Sequence, residues 1–208
     1  GDETLTSHLA LPESAYPSQL ESETPETVTL TFSKGELTAL NGVENAPEIN
    51  IQLLDVIASK FAIGRDIHVG DTIVGIKGRV GFEAAAALII VKAHHLLEKH
   101  TLTKWQLQHK DYLSNFYGMH LHEGQYLDPV MRDMEAFLSN SQHSVSGSVE
   151  VELKPYHFSI NGIQSVHDLM NAKFGSYGEI NNGWTAEEAK GFIKINGNQN
   201  KIHQQVNS

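Results

Sequence analysis

The chain has 208 residues, with 15 Lys and Arg against 25 Asp and Glu, a formal net charge of −10, 12 His and no Cys. That length suits one large domain or two small ones, and a hydrophobic share of 40% supplies a sizeable core. The acidic balance without a Lys/Arg cluster argues against a nucleic-acid partner, which needs cations to displace phosphate counterions. Without Cys there is no disulfide, thiolate metal site or thiol nucleophile, which fits a reducing, cytoplasmic compartment. The longest apolar run, Ala84 to Val91, is too short for the roughly 30 Å of bilayer hydrocarbon, so no membrane partner is expected. Nothing reads as a secretory leader, and a start at Gly1 rather than Met reads as a fragment or a tag-cleaved chain.

In chain order, residues 1–26 hold six acids, three of the six prolines and no Lys or Arg. Such a stretch buries too little apolar surface to offset its ordering entropy, so it reads as an extended arm or linker. Leu11, Tyr16 and Leu20 are its potential anchors. From Thr27, the alternation of Val28, Leu30 and Phe32 with Thr, then Ser33-Lys34-Gly35 and a strand ending at Asn41-Gly42, predicts a β-hairpin. Pro47 at a first helical position, with Ile49, Leu53, Ile57 and Phe61 at helical spacing, predicts a helix stopped by Gly64. Residues 65–83 are glycine-dense and predict two strands around a Gly70-Asp71 turn, then a tight loop opening a helix at about Phe82. That helix, through the Ala84 to Val91 run, is apolar on every face and predicts burial. A second helix starts near Thr103 and carries Trp105, Tyr112, Leu113, Phe116 and Tyr117. A third has Asp128 as N-cap and Pro129 at the first position, with Val130, Met131, Met134, Phe137 and Leu138 on one face.

Past Gly147 the period becomes two: Val149, Val151 and Leu153, then Phe158 and Ile160 before Asn161-Gly162, predict another hairpin. A short helix is expected from Ser165-x-x-Asp168, then a glycine-rich loop. Thr185-x-x-Glu188 is a capping box closed by Gly191, Phe192 to Ile195 reads as a last strand, and the tail from Gly197 is polar. No internal repeat is present. The expected fold is α+β, an antiparallel or mixed sheet built from hairpins and packed with about four to five helices. Its organisation is an arm at 1–26, a main domain at 27–196 and a tail at 197–208.

For chemistry, His120-x-His122 would put two imidazoles on one face of a strand, but no third and fourth ligand stand at a typical interval, so no metal site is expected. His94, His95 and His100 near a helix end read as surface imidazoles favoured by the helix dipole. The glycine-rich stretch with Lys77 and Arg79 could cradle an anion, yet it matches neither common phosphate-loop pattern. No G-x-S-x-G elbow or paired-carboxylate arrangement is present.

Taken together, Ile63-Gly64-Arg65, then Val74-Gly75-Ile76-Lys77-Gly78-Arg79, then Phe82-Glu83-Ala84 before an apolar helix resemble the carboxyl-terminal half of argininosuccinate synthase. The likeness continues through Val28 to Gly35, Leu102 to Leu127 and Glu188 to Asn196, and Gly1 to Leu20 resembles the connector that leaves the family's nucleotide domain. The resemblance implies the ATP-dependent joining of citrulline and aspartate through a citrullyl-adenylate, with release of AMP and pyrophosphate. It implies ATP with magnesium in the full-length enzyme but no cofactor in this chain, and a homotetramer joined through this region.

By the same resemblance the citrulline side would be contacted by Asp71, Lys77, Arg79, Phe82 and Glu83, with no catalytic residue in this chain. Two positions depart from the family pattern: Gly70 stands where a Glu is expected and Phe82 where a Tyr is expected. A Gly offers no side-chain acceptor to an ammonium, which moves that duty to Asp71 or to the nucleotide domain. Phe keeps the ring and loses the hydroxyl, which suits packing against methylenes. A blander reading pairs Arg79 with Glu83, a contact worth about 0.3 to 0.5 kcal/mol on a surface. The S-G-G-x-D-T-S phosphate loop of the family is absent from these 208 residues, which implies a chain silent in catalysis by itself. The rival reading is a non-catalytic binding or oligomerisation module with the same fold; a metal-dependent hydrolase on His120 and His122 comes third.

Overall fold

The computed structural model describes residues 7–171 and 183–207. They divide into two compact units, Gly1–Leu169 and Met170–Ser208. In the first, a five-stranded antiparallel sheet has the order β3-β2-β1-β6-β7, formed by β1 (Glu26–Ser33), β2 (Glu36–Leu40), β3 (Val43–Glu44), β6 (Gly147–Lys154) and β7 (His157–Gln164). A separate two-stranded ribbon pairs β4 (Arg65–Asp71) with β5 (Lys77–Glu83). The unit's helices are α1 (Pro47–Ser59), α2 (Ala85–Thr101), α3 (Lys104–His122) and α4 (Pro129–Ser141). The second unit holds α5 (Ala186–Asn196) and α6 (Asn198–Asn207). The fold is α+β and antiparallel as expected, with six α-helices among the described residues.

One face of the sheet is dry. Val28, Leu30 and Phe32 of β1 and Val149, Val151 and Leu153 of β6 alternate inward and meet Leu54 of α1 and Ile89, Ala93 and Leu97 of α2. Each such large side chain contributes about 1.5–3 kcal/mol on burial, which makes this the stabilising centre. The β1–β2 turn uses Lys34 and Gly35 at φ 49° and 86°, the left-handed pair a two-residue hairpin requires.

Several expectations needed correction. On α1 the buried stripe is Asn50, Leu54, Ala58 and then Phe61, while Ile49 and Leu53 are exposed. Asn50 decides this rotation: its amide donates to Leu37 O and Asn45 O and its Oδ1 accepts from Asn45, which satisfies a fully buried polar group. The β4–β5 turn lies at Thr72–Ile76, not Gly70-Asp71. Thr72 Oγ1 bonds both the N–H and C=O of Ile76, and Gly75 takes the positive φ of 79°. Phe82 therefore belongs to β5 opposite Asp66, and α2 starts only at Ala85. Helix α2 is not buried all round: Ala85, Ala86, Ile89, Ala93 and Leu97 face the core, while Val91 is 66% exposed.

Asn161-Gly162 is no turn; it sits inside β7 at a bulge, and the β6–β7 hairpin closes at Pro155-Tyr156, where Tyr156 has φ 63°. Between Ser165 and Asn171 the described residues form a 3-10 turn at Leu169–Asn171 instead of the expected short helix. The capping box at Thr185 and Glu188 is present, but its helix passes Gly191, so Phe192 to Ile195 is helical rather than a strand. A lone strand would leave its N–H and C=O groups unpaired, and a helix satisfies them internally. The polar tail forms α6. The glycine-rich loop expected before Thr185 falls on 172–182, outside the described residues.

Candidate functional site

The β4–β5 ribbon carries all five candidate residues, and its register divides them. Arg65 pairs with Glu83, Asp66 with Phe82, Ile67 with Gly81, His68 with Val80, Val69 with Arg79, Gly70 with Gly78 and Asp71 with Lys77. Cross-strand partners share a face and successive residues alternate. Asp71, Lys77, Arg79 and Glu83 therefore stand on one face, and Phe82 stands on the other with Asp66, His68 and Gly70.

The first face is covered by the arm. Ser18 N–H donates to Glu83 Oε1 at 3.2 Å, Arg79 donates to Leu9 O at 2.9 Å, and Leu11 lies where a side chain at Gly81 would stand. Arg65 is the hub. Its guanidinium donates to Glu13 at 2.6 Å, to Glu83 at 3.1 Å and to Ser18 O, between the Tyr16 ring at 4.6 Å and the Tyr156 ring at 5.6 Å. Burial pulls this guanidinium's pKa down, but bonding to Glu13 and Glu83 outweighs that and leaves it above its ordinary value. Leu11 and Tyr16 act as the anticipated anchors. Glu83 pairs with Arg65, so the Arg79–Glu83 pairing considered from sequence is not what the fold makes.

At the ribbon's tip, Lys77 Nζ meets Asp71 at 2.6 Å, with both side chains 69% exposed, a pair worth at most about 1 kcal/mol. Gly75 N–H is spent on Thr72 O at 2.8 Å. The glycine-rich stretch is thus a closed turn rather than an open set of donors for an anion. On the opposite face, a Cβ at Gly70 would lie 2.6 Å from His68 Nε2, so His68 fills the space that the missing side chain leaves.

A second polar cluster was missed from sequence. Glu98 of α2 is fully buried and accepts from Lys110 at 2.5 Å, Gln142 at 2.9 Å and His95 at 3.4 Å; Lys110 also meets Asp111 at 3.0 Å. His95, Glu98 and Asp111 bring ligand atoms close enough for a cation, and the Lys110 ammonium already supplies the positive charge. His94 Nε2 donates to Gln142 Oε1, 2.8 Å away, and burial holds its imidazole below the ordinary pKa despite the pull of Glu98. His94 and His95 are therefore parts of this network, not dipole-stabilised surface groups. A lone acid at the buried end of an apolar helix, four residues after His94, was the signal available. His120 and His122 lie on helix α3, where a two-residue spacing turns them to different sides. Among the described residues, no helix is long and apolar enough to cross a membrane.

Residues 11–203 match the family model described as arginosuccinate synthase C-terminal domain. An argininosuccinate synthase of Xanthomonas campestris pv. campestris is 36% identical over 196 residues, 94% of this chain and 48% of the relative. One of Dictyoglomus turgidum is 36% identical over 193 residues, 92% of this chain and 48% of the relative. The chain spans about half the length of the curated relatives it matches. It belongs to the argininosuccinate synthase family, of which it carries the C-terminal domain.

Proposed function

We propose that this chain is the amino-acid-holding and subunit-joining half of an argininosuccinate synthase, acting in the cytoplasm as part of a homotetramer. The observation that carries the reading is the β4–β5 ribbon, which carries Lys77, Arg79 and the arm-bound Glu83 on one face and Phe82 on the other, in the family's order, on a hairpin held to the arm through Arg65. In that reaction the citrulline ureido oxygen attacks the α-phosphorus of ATP, and the aspartate amine then displaces AMP. The task here is orientation of the substrates. Phe82 packs against the methylenes of citrulline on one face of the ribbon, and on the other face Arg79, with Lys77 once it leaves Asp71, meets carboxylate charge.

ATP and magnesium do not fit the ribbon: Gly75 N–H is occupied by Thr72 O, and Lys77 is paired with Asp71. The nucleotide is assigned instead to the family's amino-terminal domain. For the citrulline ammonium, Asp71 is the acceptor that the Gly70 departure leaves. A second acceptor is favoured by the register, since Asp66 stands directly across from Phe82 and on its face.

The isolated chain is expected to be silent in catalysis. Supplied with ATP, citrulline and aspartate it should release no AMP, while the same chain joined to a nucleotide domain of the family should do so. AMP from the isolated chain would overturn this assignment of roles, and silence of the joined protein would favour the non-catalytic module.

A further inference from the structure

Outside the ribbon, a groove of about 340 Å³ runs between α2 and the sheet's last strand, lined by Lys92, His95, Leu96 and Lys99 and by residues 157–160 of β7. We propose that it binds an elongated small dianion with an apolar midsection, an α,ω-dicarboxylate in chemical class. This inference is independent of the ligase reading.

Its geometry follows from two periodicities. Positions 92, 95, 96 and 99 are one stripe of α2, because i, i+3, i+4 and i+7 share a helix face. Seven residues at 1.5 Å each place the two Lys backbones about 10 Å apart along the axis, which sets the length of a ligand reaching both. Between them, Leu96 faces Phe158 and Ile160, which pack onto the core from β7 and give the groove an apolar floor. A groove of this size lies within the usual range for small-ligand sites.

The charges point to an anion. Lys92 Nζ lies 5.1 Å from the Phe158 ring centroid, and among the described residues neither Lys92 nor Lys99 has a carboxylate within ion-pair distance. The acids on the neighbouring stripe are already matched, since Lys110 sits 2.5 Å from Glu98 and 3.0 Å from Asp111. His95 keeps Nδ1 toward Glu98 and Asp111, 3.4 and 3.7 Å away, which leaves Nε2 for a ligand. β7 is an outer strand of the sheet, so alternate N–H groups along it point away from β6.

The test titrates azelate, a dicarboxylate of about that span, into the isotope-labelled chain and follows amide shifts. Saturable shifts are expected at 92–99 and 157–160. Nonanoate, with one carboxylate, and malonate, too short to reach both ammoniums, should bind at least about fivefold more weakly. The double substitution Lys92→Gln/Lys99→Gln, both exposed positions, should weaken azelate at least about tenfold with an unchanged far-UV spectrum, the size of one lost charge contact. No saturable shift at these amides, equal binding of malonate and azelate, or undiminished binding by the folded double variant would each overturn the proposal.

Discussion

Replacing Arg65 by Gln should loosen the arm from the ribbon and cost about 1.5–4 kcal/mol of unfolding free energy. The Arg65–Glu83 pair is nearly dry, with side chains 11% and 7% exposed, and a hydrogen bond to a charged group in such a place contributes about 1.5–3 kcal/mol. The two tyrosine rings add about 0.5–1 kcal/mol each, and Gln recovers about 1 kcal/mol through one remaining bond. The Glu13 arm of the hub counts for little, because Glu13 is 55% exposed and such pairs are worth about 0–1 kcal/mol. Denaturant titration of parent, R65Q, E83Q and the double variant gives the pair's coupling energy, expected above about 1 kcal/mol. Limited proteolysis within residues 7–22 should accelerate in R65Q and much less in E13Q. An R65Q variant within about 0.5 kcal/mol of the parent, with unaltered cleavage, would refute the view that Arg65 clamps the arm to the site.

Gly64→Ala should destabilise by at least about 2 kcal/mol, since φ is +89° there and a Cβ would lie 2.5 Å from Ala85 N; Gly78→Ala, with nothing within 4 Å, should be near neutral, and equal effects in denaturation would contradict this. Burial holds His94 below its ordinary pKa, so the unfolded chain binds the extra proton first and the stabilisation, complete above the ordinary value, is lost as pH falls through it; between pH 7.5 and 5 the parent should lose more stability than H94Q. In the full-length ligase, D66N and D71N compared for citrulline KM identify the ammonium acceptor, the true one raising KM about tenfold with kcat less affected; no change in either variant would remove both from the role.

Helix caps and turn residues were legible where their chemistry is local: Asp128 and Pro129 start α4, the Thr185 capping box starts α5, and Lys34-Gly35 turns the first hairpin as their backbone preferences require. The family likeness was legible for a related reason, since the Gly64 to Glu83 pattern is a contiguous run of residues. Where a segment's own preference was weak, pairing and burial decided. Phe192 to Ile195 continued the helix that Thr185 caps, Asn50 rotated α1 by its buried bonds, and Phe82 stayed in β5 because the ladder with Arg65–Ile67 continued past it.

The amino-acid order by itself determined the α+β class, the hairpins and the identity of the ribbon residues. Only the tertiary structure decided which of those residues share a face, that Arg65 joins the arm to Glu83, and that Glu98 lies buried among Lys110, Gln142 and His95. Contacts 12 to 65 positions apart arise from sheet register and helix docking, which minimise exposed apolar area and unpaired polar groups across the whole chain at once; no local window contains that information.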